Sequence, residues 1–102
     1  MPDTMAKVVF TRKAVSDLNE IWEYTFSTWS KEQANLYYNT LLADCGKVAE
    51  KPDSLERNFD HVKTSLKGYQ SGKHIIFYRK LKDGRSRVIR ILHEKMDFQR
   101  HL

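Results

Sequence analysis

Arg79, Arg90, His93 and Tyr78 are the residues of this sequence whose types could do chemistry together. A ribonuclease that works without metal needs a general acid or base, plus cations that hold the phosphate in its transition state. These four side chains supply both. Each also has a structural reading. Arg79 and Arg90 fit exposed strand positions or partners of an acidic helix face, and His93 fits a backbone hydrogen bond at a strand end. Other chemistries find no support in the spacing. His61, His74, His93 and His101 are scattered, with Cys45 apart from them, and do not space like zinc ligands. There is no Gly-rich phosphate loop and no Gly-x-Ser-x-Gly. Neither a metal nor a cofactor is expected.

The elements that must position these residues lie in the last third of the chain. Lys82-Asp83-Gly84-Arg85 separates two runs rich in Ile, Val, Phe and Tyr, which predicts a hairpin because Gly takes the positive φ of a tight turn. On its first strand Ile75, Phe77 and Leu81 share one face, against His74, Ile76, Tyr78 and Lys80. On its second, Ile89 and Ile91 oppose Val88, Arg90 and Leu92. Both faces carry apolar residues, so one is expected to pack on helices and the other to form a groove for a partner.

Upstream, Lys7 to Phe10 reads as a short strand, and Thr11 as the cap of a helix. Ala14, Leu18, Ile21 and Thr25, with Val15, Trp22 and Trp29, form the stripe of an amphipathic helix. Asp17, Glu20 and Glu23 fall off that stripe and predict an acidic outer face. Ser30 and Gln33 fit a capping box for a second helix, whose stripe runs through Ala34, Tyr37, Leu41, Cys45 and Val48. Tyr38, Leu42 and Ala49 broaden it. Cys45 therefore reads as a small core residue rather than a nucleophile. Pro52 is expected to end this helix, and the short Trp29-Ser30 corner folds the two helices into a hairpin. Asp53 to Thr64 reads as a loop, Ser65 to Gln70 as a short strand turning at Ser71-Gly72, and Asp97 to Leu102 as a helical turn. The expected class is α+β: an N-terminal strand, then a helical hairpin packed on a three- to four-stranded antiparallel sheet, with a short C-terminal helical turn.

A chain of 102 residues, 40% apolar and 30% charged, suits one globular domain spanning 1–102 rather than a disordered tail. No apolar run approaches the roughly 18 residues of a membrane span, and Met1 to Thr4 does not open a secretory signal. Met5 is an alternative start. With Cys45 as its one cysteine the chain forms no internal disulfide, and the cytoplasm is the expected compartment. Charge is unevenly placed. Residues 1–61 hold seven Lys or Arg against ten Asp or Glu, and residues 62–102 hold eleven against three, or −3 and +8. That polarity favours an acidic partner for the second half, nucleic acid or protein, over a merely solvated basic face.

Four segments together resemble the ParE family of bacterial toxins within the RelE/ParE superfamily. They are Ala14-x-x-Asp17-Leu18-x-x-Ile21-Trp22-x-Tyr24, Trp29-Ser30-x-x-Gln33-Ala34-x-x-Tyr37, Gly72-x-His74-x-Ile76-x-Tyr78-Arg79 and Arg90-Ile91-Leu92-His93-x-x-Met96-Asp97. The resemblance implies the toxin of a type II toxin–antitoxin pair, of the kind tied to plasmid stabilisation, that inhibits DNA gyrase and meets DNA only through gyrase. It implies a non-enzymatic poison with no catalytic residue and no membrane partner. Arg79, Arg90, His93, Met96, Asp97 and Arg100 would contact the target. Tyr24, Trp29, Tyr38, Ile76 and Tyr78 would contact a cognate antitoxin whose acidic C-terminal segment orders on binding. The alternatives are a RelE-type endoribonuclease that cuts mRNA on the ribosome, and a non-toxic module that binds only its antitoxin.

Overall fold

In the computed structural model, which describes residues 7–50 and 56–102, strand β1 (Val8–Phe10) runs directly into helix α1 (Arg12–Thr28). Thr11 makes that junction. Its hydroxyl accepts a hydrogen bond from the Ala14 amide at 3.1 Å, which satisfies a first-turn donor, and donates to the Ile89 carbonyl at 2.7 Å. One side chain thus caps the helix and fastens it to a strand far along the chain. The Trp29 amide closes α1 on Thr25 O at 2.8 Å. Ser30 then caps α2 (Lys31–Glu50) by accepting from the Gln33 amide at 3.1 Å. Both caps are those expected from the sequence. Pro52, the expected helix breaker, lies outside the described residues.

Four more strands follow: β2 (Arg57–Asn58), β3 (Lys67–Ser71), β4 (His74–Lys80) and β5 (Ser86–His93), with α3 (Phe98–His101) after them. They form a five-stranded sheet in the order β1-β5-β4-β3-β2. From β2 to β5 the pairing is antiparallel, whereas β1 lies parallel to β5, Val9 opposite Arg87. The helical hairpin between β1 and the rest supplies the long connection that parallel pairing requires. The architecture is the expected one, with two additions: β2 lies within the stretch read as a loop, and β1 joins the sheet edge. At the β4–β5 turn, Gly84 takes φ +90° and the Asp83 carboxylate accepts from the Arg85 amide at 3.0 Å.

Simple alternation along β5 fails, for a local reason. Phe77 faces Arg90 but Tyr78 faces Val88, so Ile89 is an extra residue that bulges the strand. Val88 and Ile91 consequently reach the same core, although they are an odd number of residues apart. Ile89 and Leu92 turn to the opposite side. Beneath the helices, Val88, Ile91, Ile76, Tyr78 and Tyr69 pack against Ala14, Leu18, Leu41, Cys45 and Val48.

The other face is not the open groove expected for a partner. Phe59, Val62 and Leu66 from the segment before β3, and Phe98 and Leu102 from the C-terminal turn, cover Ile75, Phe77 and Leu92. Phe59 and Phe98 meet the Phe77 ring edge-on, with centroids 5.0 and 4.9 Å away. Gly68 makes room for this lid: a Cβ there would stand 2.5 Å from the Phe59 ring. Lacking helical or strand periodicity, the covering residues gave no signal that they fold inward.

Candidate functional site

The helical hairpin and the sheet meet at charged and polar contacts that organise the candidate residues. Asp17, expected on the acidic outer face, is instead buried. Its Oδ2 and Oδ1 accept from Arg90 Nε and Nη2, both at 2.8 Å, and Oδ2 also accepts the Ile91 amide at 3.0 Å. The carboxylate holds the Arg90 guanidinium in its charged form, raising an already high pKa. Arg90 Nη1 donates onward to the His101 carbonyl at 2.8 Å. The candidate cation of β5 is therefore spoken for, joining α1, β5 and the C-terminal turn.

A second cluster lies at the β3–β4 turn. The Tyr37 hydroxyl stands 2.7 Å from His74 Nδ1 and accepts the Lys73 amide at 3.0 Å. Ser71 O is a longer alternative acceptor at 3.4 Å, so the phenol proton is best placed on His74 Nδ1. Burial, followed by the neighbouring His93, lowers the His74 pKa to about 4, while Asp17 and Glu94 oppose the shift. The imidazole is thus neutral at pH 7. Burial likewise raises the Tyr37 pKa. The His74 and His93 rings meet edge-to-face with centroids 5.3 Å apart, and His93 Nδ1 accepts the Lys95 amide at 3.2 Å. Gly72 permits this arrangement: its φ is +58°, and a Cβ there would come within 2.7 Å of the Tyr37 ring.

The remaining candidates divide sharply by exposure. Ile76 and Tyr78, named for an antitoxin contact, are wholly buried because they share the β4 face beneath the helices. The Tyr78 hydroxyl donates to Glu56 Oε1 at 2.8 Å. Tyr24 and Trp29, by contrast, are 70% and 73% exposed on the hairpin, with Phe26 and Leu36 also exposed and Tyr38 half-buried. Trp22 stacks on Phe26 with centroids 5.2 Å apart and donates to Asn35 Oδ1 at 3.0 Å. Arg79 is half-buried and donates from Nε to Thr64 O at 3.1 Å. Met96, Asp97 and Arg100 are exposed around the start of α3. These residues do not converge on one catalytic pocket.

Arg90 meets the acidic side of α1, one of the two structural readings open to it, but the burial of Asp17 and the joining of Tyr37 to His74 carried no clear signal in the sequence. Tyr37 was read as stripe and His74 as an ordinary strand residue; the one faint cue lay in Gly72, which marked a close approach. Cys45 is buried as expected, its thiol pushed up to about 12 by burial. Among the described residues no group of three or more His, Cys, Asp or Glu is placed to hold a metal ion, and no helix is long and apolar enough to cross a membrane.

Comparison with known proteins covers nearly the whole chain. Residues 8–98 match the family model described as the ParE toxin of the type II toxin–antitoxin system, parDE. Toxin ParE1 of Caulobacter vibrioides is 34% identical over 92 residues, covering 90% of this chain and 93% of that relative. Toxin ParE1 of Mycobacterium tuberculosis is 30% identical over 97 residues, covering 95% and 98%. A solved chain from the chromosomal ParDE TA system from P. aeruginosa superposes with a TM-score of 0.74 at 16% identity, covering 88% of this chain and 97% of that one.

Proposed function

Since the chain belongs to the ParE family of toxins of type II toxin–antitoxin systems, we propose that it acts by binding DNA gyrase, without chemistry of its own, and that a cognate antitoxin neutralises it. The observation that carries the non-enzymatic reading is how the fold employs the candidate catalytic groups. Arg90 is held by Asp17, Arg79 donates to Thr64 O, and His93 accepts from Lys95. Tyr78 is buried. A phosphate-cleaving site needs such groups directed at one reacting atom.

Target binding then falls to the exposed Met96, Asp97 and Arg100 of the basic half, with half-buried His93 and the remaining donors of Arg79. For the antitoxin, the exposed aromatic face of the hairpin is the best-supported surface. Tyr24 and Trp29 present large apolar area to water with little structural return, the profile of residues that a partner covers.

Purified gyrase tests the reading. In a supercoiling reaction the toxin is expected to abolish supercoiling or leave cleaved DNA after protein denaturation, with antitoxin reversing either effect. Intact supercoiling at an excess of folded toxin would defeat it. Transcript mapping on translating ribosomes would then test the second reading, which the adjacent His74 and His93 rings favour, with His93→Ala as the first substitution.

A further inference from the structure

Away from the aromatic face, the start of α1, the segment before β3, β5 and the C-terminal turn enclose an open concavity of about 240 Å³. Five of its lining residues are Arg12, Lys13, Lys63, Arg90 and His101. Asp17 balances Arg90. Among the described residues no Asp or Glu forms an ion pair with Arg12 or Lys13, which leaves these two positive charges uncompensated at the hollow, while Lys63 is engaged by Leu102. Two of the cations are also fixed in place: Lys63 Nζ donates to Leu102 O at 2.5 Å and Arg90 Nη1 to His101 O at 2.8 Å.

We propose that this concavity binds a phosphate group of the DNA backbone, giving the toxin a direct hold on DNA. Cations arriving from several separate segments suit phosphate, whose oxygens accept from several directions, better than a carboxylate with two oxygens in one plane. The +8 charge of residues 62–102 draws the same polyanion over a longer range. The identification of DNA rests on the gyrase reading above, whereas the phosphate site itself does not.

The test uses the full chain without gyrase. Amide spectra are recorded against inorganic phosphate, with chloride at matched ionic strength as the control, and then against a short duplex DNA. Saturable shifts confined to Arg12, Lys13, Lys63, Arg90 and His101 are expected. The double variant Arg12→Glu/Lys13→Glu is expected to lose those shifts and bind duplex at least tenfold more weakly. Removing two phosphate contacts should also lower the slope of log affinity against log salt by about 2. Acidic residues in a first helical turn suit the helix dipole, so this variant retains the fold; Lys63→Gln supplies an independent variant. Shifts that never saturate, shifts spread over every Lys and Arg, undiminished duplex binding by the variants, or tighter binding of an acidic peptide than of duplex would each overturn the proposal. Gyrase poisoning without phosphate shifts would overturn it while sparing the gyrase reading. Localised shifts without gyrase poisoning would support the site and remove only its gyrase setting.

Discussion

Asp17 on α1 and Arg90 on β5 form a two-pronged ion pair with both N–O distances at 2.8 Å, and their side chains are 9% and 16% exposed. The same carboxylate accepts the Ile91 amide beside the Ile89 bulge, so it satisfies a backbone donor as well as a charge. Removing either partner strands the other in a largely desolvated place, and that imbalance decides the sign of the mutations.

Asp17→Ala is expected to destabilise the fold by about 3 kcal/mol. The measurement is urea unfolding at pH 7. The double variant Asp17→Leu/Arg90→Met, which removes both charges and keeps apolar volume, should recover part of that loss. A cost for Asp17→Ala below about 0.5 kcal/mol would mean that the pair behaves like a surface one.

Two turn glycines should respond differently to alanine. Gly84 has φ +90° with open space around its Cβ position, so Gly84→Ala brings backbone strain alone, about 1 kcal/mol. Gly72 adds a 2.7 Å approach to the Tyr37 ring, so Gly72→Ala should cost distinctly more, about 2 to 3 kcal/mol. Equal thermal shifts for the two variants would show that the Tyr37 contact is not tight.

Acid should weaken the fold partly through His74. Its folded pKa of about 4 lies below the ordinary 6.5, so between these values the unfolded chain binds more protons than the native one. The stability tied to His74 is complete above pH 6.5, is lost as pH falls toward 4, and changes no further below that. Thermal midpoints of the wild type minus those of His74→Asn should rise with pH across this window. A flat difference curve would refute a depressed pKa.

The exposed aromatics should separate binding from folding. Trp29→Ala and Tyr24→Ala are expected to change stability by less than about 0.5 kcal/mol, as surface substitutions do. Each should nevertheless weaken a purified antitoxin at least tenfold in calorimetric titration, as loss of an aromatic anchor does. Full affinity in both variants would move the antitoxin contact elsewhere.

Local signals carried most of this fold. Thr11 and Ser30 act as caps, Asp83-Gly84 as the turn, and the Leu41, Cys45 and Val48 stripe as core, because each depends on neighbours a few residues away. Asp17 was misread because its partner lies 73 positions on, and a carboxylate off an apolar stripe looks solvated until that partner is placed. The Ile89 bulge shifts the faces of β5 by one residue, which strict alternation cannot foresee. Phe59, Val62 and Phe98 were passed over because a covering loop has no period. Of the candidate site, Tyr24 and Trp29 are exposed, Trp29 despite its spacing on the apolar stripe because it lies at the very end of α1, whereas Ile76 and Tyr78 turn inward on β4.

The parallel pairing of β1 with β5 also sets an order of assembly. Residues 8–10 are synthesised long before their sheet neighbours, residues 86–88. Thr11 likewise waits for Ile89, and Asp17 for Arg90. Such distant closures contribute late in folding, because the intervening loop entropy is lost before any contact repays it. A chain stopped before Ser86 therefore lacks the strand that joins β1 to β4, and with it the Asp17–Arg90 pair and the Val88 and Ile91 part of the core beneath the hairpin. Because β5 lies between β1 and β4, closure of the sheet waits for residues 86–93.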